Sequence, residues 1–163
     1  MNRLLRTTLW PLLLCSALLV GCAGFPKQAL PGTAVWTGRI GLQILTQPPQ
    51  SVGAAFELQG SAEQGELLLL SPIGSTLAQL SWTPTQAHLT QGGRQWSSQS
   101  LDDLTTQLTG TALPVAALFD WLAGQATPLA GWQIDLSQRA EGRIQAERKS
   151  PDPVVQLKLV LER

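Results

Sequence analysis

The chain has 163 residues, which is enough for one domain with a substantial core, and its 11 basic residues balance its 11 acidic residues. This balance leaves no excess of basic charge, which argues against a nucleic-acid-binding protein. Only 13% of the residues are charged, and the chain contains one histidine, no tyrosine and six tryptophans. The composition therefore predicts an apolar-rich domain with few groups for acid–base chemistry.

The first residues have the layout of a signal peptide, predicted over residues 1–21. Two arginines give a positive start, and the apolar run over residues 9–20 is short for a transmembrane helix. The run ends in the sequence L-V-G-C, which resembles the bacterial lipobox and implies cleavage before Cys22 and acylation of that residue. An ordinary secretory signal with an incidental cysteine is the alternative. Ala23 stands where an aspartate would imply retention at the inner membrane, so the resemblance implies export to the outer membrane.

Residues 22–33 contain two prolines and are predicted to be a linker between the lipidated cysteine and a folded domain over residues 34–163. Cys15 would be removed with the signal peptide and Cys22 would be acylated. The mature domain would then have no thiol for a disulfide or a metal site.

From residue 34 onward, side chains alternate between apolar and polar, which predicts antiparallel strands. The run Leu67 to Leu70 differs, because four consecutive leucines predict a strand with both faces covered. The predicted strands before the middle of the chain lie near residues 36–44, 52–58, 67–70, 78–82, 86–90 and 94–97. Three more are predicted after it, near residues 132–136, 144–146 and 155–161.

Two helices are predicted in the middle of the chain, where the apolar period changes. Ser100 can cap the first helix, and Gly110 can end it in the left-handed conformation. Pro114 suits the first turn of the second helix, and Gly124 suits its end. Each helix carries an apolar stripe that can pack on the sheet.

The sequence S-P-I-G-S over residues 71–75 predicts a tight turn, because Pro72 presets φ and Gly74 tolerates positive φ. Ile73 is a β-branched residue at the tip of this turn, where such a residue is a poor choice unless it has an apolar environment. One interpretation is that Ile73 folds back onto the core. The other is that it protrudes toward an apolar partner.

Candidates for catalysis are sparse. His88 stands alone in a predicted hairpin strand, with no set of side chains to complete a metal site. No G-x-S-x-G motif occurs, and Asp102 and Asp103 are explained by the positive start of a helix. The sequence therefore argues against an enzyme and implies neither metal nor cofactor. The apolar faces of sheet and helices either enclose a cavity for an apolar ligand or form a dry core.

Several motifs occur together in a fixed order and resemble the LolB family. They are W-T-G-R-I at 36–40, L-L-L-S-P-I-G-S-T at 68–76, L-T-G-x-x-x-P at 108–114, D-W-L-A-G at 120–124 and G-W at 131–132. The resemblance covers most of the chain after residue 36. It implies an α+β fold: an incomplete antiparallel β-barrel around an apolar cavity, closed by a few helices.

The resemblance also implies a function. A LolB-like protein accepts lipoproteins, by their acyl chains, from a LolA-like periplasmic carrier and inserts them into the inner leaflet of the outer membrane. It is a monomer, lipid-anchored at the periplasmic face of that membrane. In the family, the loop residue that matches Ile73, between Pro72 and Gly74, protrudes for the delivery step, and many members carry leucine there.

The apolar sides of the sheet and helices supply the candidates for an acyl cavity: Trp36, Ile40, Leu42, Phe56, Leu80, Trp82, Leu118, Trp121 and Trp132. The sequence is also compatible with two alternatives. One is an outer-membrane lipoprotein with a structural or assembly role and a dry core, and the other is a general acyl-lipid-binding protein.

Overall fold

In the computed structural model, which describes residues 34–162, nine strands form one antiparallel sheet that two helices accompany. The strands are β1 Ala34–Ile44, β2 Gln50–Gly60, β3 Gly65–Leu70, β4 Thr76–Trp82, β5 Ala87–Gln91, β6 Arg94–Ser98, β7 Trp132–Asp135, β8 Arg143–Arg148 and β9 Val155–Leu161. The helices are α1 Leu101–Thr109 and α2 Val115–Ala123, and a short 3₁₀ turn covers Arg139–Glu141. The predicted signal peptide, Cys22 and the linker up to residue 33 lie outside the described residues.

The strand order is β6-β5-β4-β3-β2-β1-β9-β8-β7, so the sheet is not closed and β6 and β7 are its edges. The first six strands form a meander. The chain then passes through the helices and returns by β9, which pairs with β1 and aligns Ile40 with Leu159. A Cβ at Gly38 would collide with the carbonyl oxygen of Val160, so glycine permits the close approach of these two strands. The predicted class, an incomplete antiparallel barrel with helices, is confirmed.

The core lies between one face of the sheet and the two helices. Alternate residues along the inner strands are buried, whereas the edge strands β6 and β7 have only partly buried residues at alternate positions. On β3, Leu67 and Leu69 are buried, whereas Leu68 and Leu70 on the opposite face are only half-buried. The prediction that both faces of this strand are covered is therefore wrong, because both helices of the described residues pack on the inner face alone.

The helix ends follow the local signals in the sequence. The Ser100 hydroxyl accepts a hydrogen bond from the Asp103 amide at 3.2 Å, and Gly110 ends α1 with φ of +81°. Gly124 ends α2 with φ of +91°. Pro114 lies one residue before α2 rather than inside its first turn.

The connection between the helices is held by a buried threonine. The Thr105 hydroxyl donates to the Asp102 carbonyl at 3.0 Å and accepts from the Leu113 amide at 3.1 Å. Thr105 is fully buried, so this pair of bonds satisfies a polar group that would otherwise destabilise the core. The start of α2 is thereby fixed relative to α1.

Candidate functional site

The loop between β3 and β4 is a tight hairpin tip that holds Ile73 away from the protein. The Gly74 amide donates to the Ser71 carbonyl at 2.9 Å, and the Ser71 amide donates to the Ser75 carbonyl at 2.8 Å. The Ser75 amide also donates to the Ser71 hydroxyl at 3.1 Å. With φ of +80° at Gly74, this is the three-residue hairpin that needs a left-handed residue at its third position.

Ile73 is 87% exposed at the tip of this hairpin, and the neighbouring Pro72 and Gly74 are exposed as well. The interpretation that Ile73 folds back onto the core is therefore excluded for this structure. An aliphatic side chain with so little contact gains almost no burial energy within the chain, so it is free to contact an apolar partner.

Further exposed apolar side chains lie near the same end of the sheet. The register aligns the end of β3 with Ala55 in the middle of β2, and the end of β1 with the start of β2, so the early half of β2 extends past β3 toward the hairpin tip. Leu45, Val52 and Leu77 are each between 43% and 44% exposed and lie near the connections at this end. Together with Ile73, these residues make this end an apolar rim.

The nine predicted cavity residues lie together in the core region. Leu42, Phe56, Leu80, Trp82, Leu118 and Trp121 are buried, and Trp36, Ile40 and Trp132 are partly buried against the same cluster. The structure thus brings all nine into one apolar region between sheet and helices. All nine belong to this packed core cluster or pack against it.

The aromatic side chains link the helices to the sheet. Trp121 of α2 is fully buried, with its ring centroid 5.9 Å from that of Trp132 on β7. Phe119, also on α2, lies edge-on to Trp82 of β4 at 6.1 Å. Each buried indole satisfies its N–H with a carbonyl: Trp121 donates to Thr127 at 3.2 Å, and Trp82 donates to Ser61 at 3.1 Å.

Two arginines at the site are absent from the sequence-based predictions. Arg139 donates two hydrogen bonds to the Leu122 carbonyl at the end of α2 and lies over the Trp36 ring at 5.9 Å. Arg148 is 9% exposed and donates to the Thr111 hydroxyl at 2.8 Å. The alternation Ile144, Ala146, Arg148 along β8 is a signal that could have placed Arg148 on the inner face, but Arg139 lies in a turn without any periodic signal.

The polar residues considered for chemistry have ordinary surroundings. His88 is exposed on β5, and its Nδ1 lies 2.9 Å from the Ser97 hydroxyl on the neighbouring strand. Asp102 and Asp103 are exposed in the first turn of α1. Within residues 34–162, no three His, Cys, Asp or Glu side chains converge as metal ligands. The same residues contain no helix with both the length and the apolar character needed to cross a membrane.

Comparison with known proteins decides the family. The family model described as outer membrane lipoprotein LolB matches residues 35–159. The chain belongs to the LolB family. Similar proteins include the outer-membrane lipoprotein LolB of Dechloromonas aromatica (strain RCB), which is 30% identical over 93% of this chain and 94% of its own length. The outer-membrane lipoprotein LolB of Cupriavidus metallidurans is 30% identical over 90% of this chain and 71% of its own length.

A second Cupriavidus protein of the same name, from C. pinatubonensis, is 31% identical over 88% of this chain and 72% of its own length. As a LolB-family member, this protein is a lipid-anchored outer-membrane lipoprotein with a role in lipoprotein localisation. The family resemblance drawn from the ordered motifs is confirmed by these matches.

Proposed function

We propose that this LolB-family protein accepts lipoproteins from a LolA-like periplasmic carrier and inserts them into the inner leaflet of the outer membrane. The observation that carries the proposal is Ile73, an aliphatic side chain that a hydrogen-bonded hairpin holds 87% exposed. A lipid bilayer is an apolar partner that such a side chain can enter. The proposal assigns no catalytic residue and no cofactor.

In this proposal, anchoring and membrane contact are separate tasks. Acyl chains on Cys22 anchor the protein, since each buried methylene contributes about 0.8 kcal/mol. Insertion of Ile73 contributes only about 1.5–3 kcal/mol, which supports transient contact and not anchoring. The apolar rim residues Leu45, Val52 and Leu77 lie near the same end of the sheet and would extend the contact.

The acyl chains of the cargo bind, in this proposal, among the nine cavity residues named above. These side chains already share one apolar region under the helices, and α2 contributes Leu118 and Trp121 to it. Entry of an acyl chain requires that α2 moves away from the sheet. Transfer then proceeds from the carrier to this region and on to the bilayer, driven by differences in binding free energy.

The decisive variant is Ile73→Glu, which places a charge at the hairpin tip. The processed, lipid-anchored protein is reconstituted in liposomes, and a loaded carrier supplies a lipoprotein. We expect that Ile73→Glu accepts the cargo but deposits little of it in the bilayer. Stability should stay within about 0.5 kcal/mol of the unmodified protein, since Ile73 has few contacts to lose.

Two controls make this result specific. Ile73→Leu keeps an aliphatic side chain and should deposit cargo normally. Val160→Glu introduces the same charge at another exposed apolar position, on β9 opposite Arg143 and Arg39, and should also deposit cargo normally. Deposition by Ile73→Glu at the unmodified rate would refute the membrane role of the loop.

A second candidate function is a structural or assembly role at the outer membrane. The observation that favours it is the continuous packing of the nine cavity candidates, which is also what a dry core looks like. The two functions differ in acyl binding. A receptor should bind a fluorescent fatty acid with a shift in tryptophan emission, because Trp121 and Trp132 are among the proposed cavity residues, whereas a structural protein should bind none. A general acyl-lipid-binding protein would bind the probe but would not accept cargo from a loaded carrier.

A further inference from the structure

A pocket of about 570 Å³ lies beside the helices, where both helix starts and the connection between the helices approach β7 and β8. Its volume is in the range of small-molecule sites. Most of its wall is apolar and includes Leu101, Leu113, Val115, Leu129 and Trp132. Two groups in the wall are suited to negative charge.

The first group is the guanidinium of Arg148. Its Nη2 donates to the Thr111 hydroxyl at 2.8 Å and to the Pro153 carbonyl at 3.3 Å. Its Nε is buried and has no hydrogen-bond partner in the described structure, and its guanidinium carbon lies 6.0 Å from the ring centroid of Trp132. Arg148 is only 9% exposed, and it takes part in neither the Arg143–Glu141 nor the Lys149–Glu147 ion pair. The Thr111 hydroxyl, the Pro153 carbonyl and the Trp132 ring carry no full negative charge, so an anion in the pocket would complement this buried cation.

The second group is the amino end of α2, which forms part of the same wall through Ala116 and Ala117. Pro114 precedes the helix, and no side chain caps this end. The Val115 amide donates to the Leu113 carbonyl at 2.8 Å, so the amides of Ala116 and Ala117 are the candidate donors at this end, where the helix dipole places partial positive charge. A carboxylate or phosphate can accept hydrogen bonds from such amides.

We propose that this pocket binds the oxyanion head group of an acyl lipid. Arg148 and the amino end of α2 donate hydrogen bonds to the oxyanion, and the apolar wall of the pocket contacts the acyl chain of the lipid. The oxyanion is a carboxylate or a phosphate, since both accept hydrogen bonds from a guanidinium. Asp102 also lines the pocket, but it is exposed in the first turn of α1, where water and the amides of that helix offset its charge. The site does not depend on lipoprotein delivery, so each can fail without the other.

The test uses photo-crosslinking to the processed, lipid-anchored protein in phosphatidylcholine vesicles. The probes are a diazirine-bearing palmitic acid in its ionised form, its methyl ester, and a diazirine-bearing monoacyl glycerophosphate. Ala116→Glu places a carboxylate at the exposed rim of the pocket, where it suits the helix start but repels an anion. Ala116→Gln has the same shape without the charge and is the matched control.

We expect the acid to label pocket peptides and the ester to label them far less. Ala116→Glu should reduce the labelling at least about tenfold relative to Ala116→Gln, because like charges oppose binding. Arg148→Met should have the same effect, with its folding checked by circular dichroism. Labelling by the fatty acid, by the glycerophosphate or by both supports the site and identifies its head group. Equal labelling by acid and ester, together with equal labelling of the two Ala116 variants, would overturn the proposal.

Discussion

Arg139 joins the end of α2 to the sheet, so its removal should loosen the helix that covers the core. Its Nε donates to the Leu122 carbonyl at 3.0 Å, and one of its terminal nitrogens donates to the same oxygen. The guanidinium carbon also lies 5.9 Å from the ring centroid of Trp36 on β1. Arg139→Gln removes the charge and the stacking at once.

The expected loss follows from these contacts. A hydrogen bond from a charged donor contributes about 1.5–3 kcal/mol. A cation at a helix carboxyl end adds about 0.3–1 kcal/mol, and a cation over an indole adds about 0.5–1 kcal/mol. The three share one guanidinium that is partly exposed, so we expect a total loss of about 2 kcal/mol rather than their sum. For a domain of this size, that corresponds to a melting temperature lower by roughly 6–10 °C.

The measurement is thermal unfolding followed by far-ultraviolet circular dichroism, with Arg143→Gln as the control. Arg143 lies nearby and undergoes the same change of charge, but its 3.6 Å ion pair with Glu141 joins side chains that are 57% and 64% exposed. Such a pair contributes little, so the control should unfold close to the unmodified protein. Arg139→Lys keeps the positive charge but lacks the planar guanidinium, so its melting temperature should lie between those of Arg139→Gln and Arg143→Gln. If Arg139→Gln unfolds at the temperature of Arg143→Gln, the contact with Leu122 and Trp36 does not hold the helix.

Two further predictions concern the scaffold of the site. Thr105→Val should lower the free energy of unfolding by about 1–3 kcal/mol, because the buried Leu113 amide loses its acceptor, and an unchanged urea midpoint would contradict this. Gly65→Ala should lower the free energy of unfolding by about 3 kcal/mol, since the new Cβ would lie 2.5 Å from the Gln59 carbonyl oxygen and 2.6 Å from the Trp82 ring. Gly74→Ala should lower it by only about 1 kcal/mol, because its Cβ meets open space and only the positive φ is strained. If Gly74→Ala destabilised the protein more than Gly65→Ala, the contacts of a Cβ at Gly65 would not be the main source of destabilisation.

Features set by neighbouring residues could be predicted from the sequence. The Ser100 cap, the left-handed ends at Gly110 and Gly124 and the hairpin at Gly74 each depend on a few adjacent residues, and all four occur in the structure. Period-two alternation likewise places Leu42 and Leu80 on the buried face.

Features set by distant parts of the chain could not be predicted. Whether the outer side of Leu68 is covered depends on which face of the sheet the helices pack against. The alternation of side chains within one strand carries no information about that packing. The contacts of Arg139 with Leu122 and of Arg148 with Thr111 join residues 17 and 37 positions apart. The sequence could predict which faces are apolar, whereas the space between those faces depends on how the helices pack.

Under the proposed function, the same core side chains would pack against α2 in one state and against an acyl chain in another, which requires that the two sets of contacts contribute comparable free energies. Moving α2 away from the sheet exposes four large buried side chains: Val115, Leu118, Trp121 and Leu122. At about 1.5–3 kcal/mol each, this costs about 6–12 kcal/mol. An acyl chain of about 14 carbons, at about 0.8 kcal/mol per methylene, offsets about 10 kcal/mol when it takes the place of the helix. In the proposed receptor, the packed core would keep the apolar surface out of water when no acyl chain is bound, and the exchange would proceed in either direction without an energy source. Delivery in one direction requires a deeper sink for the acyl chain, which the bilayer beside an exposed Ile73 would supply.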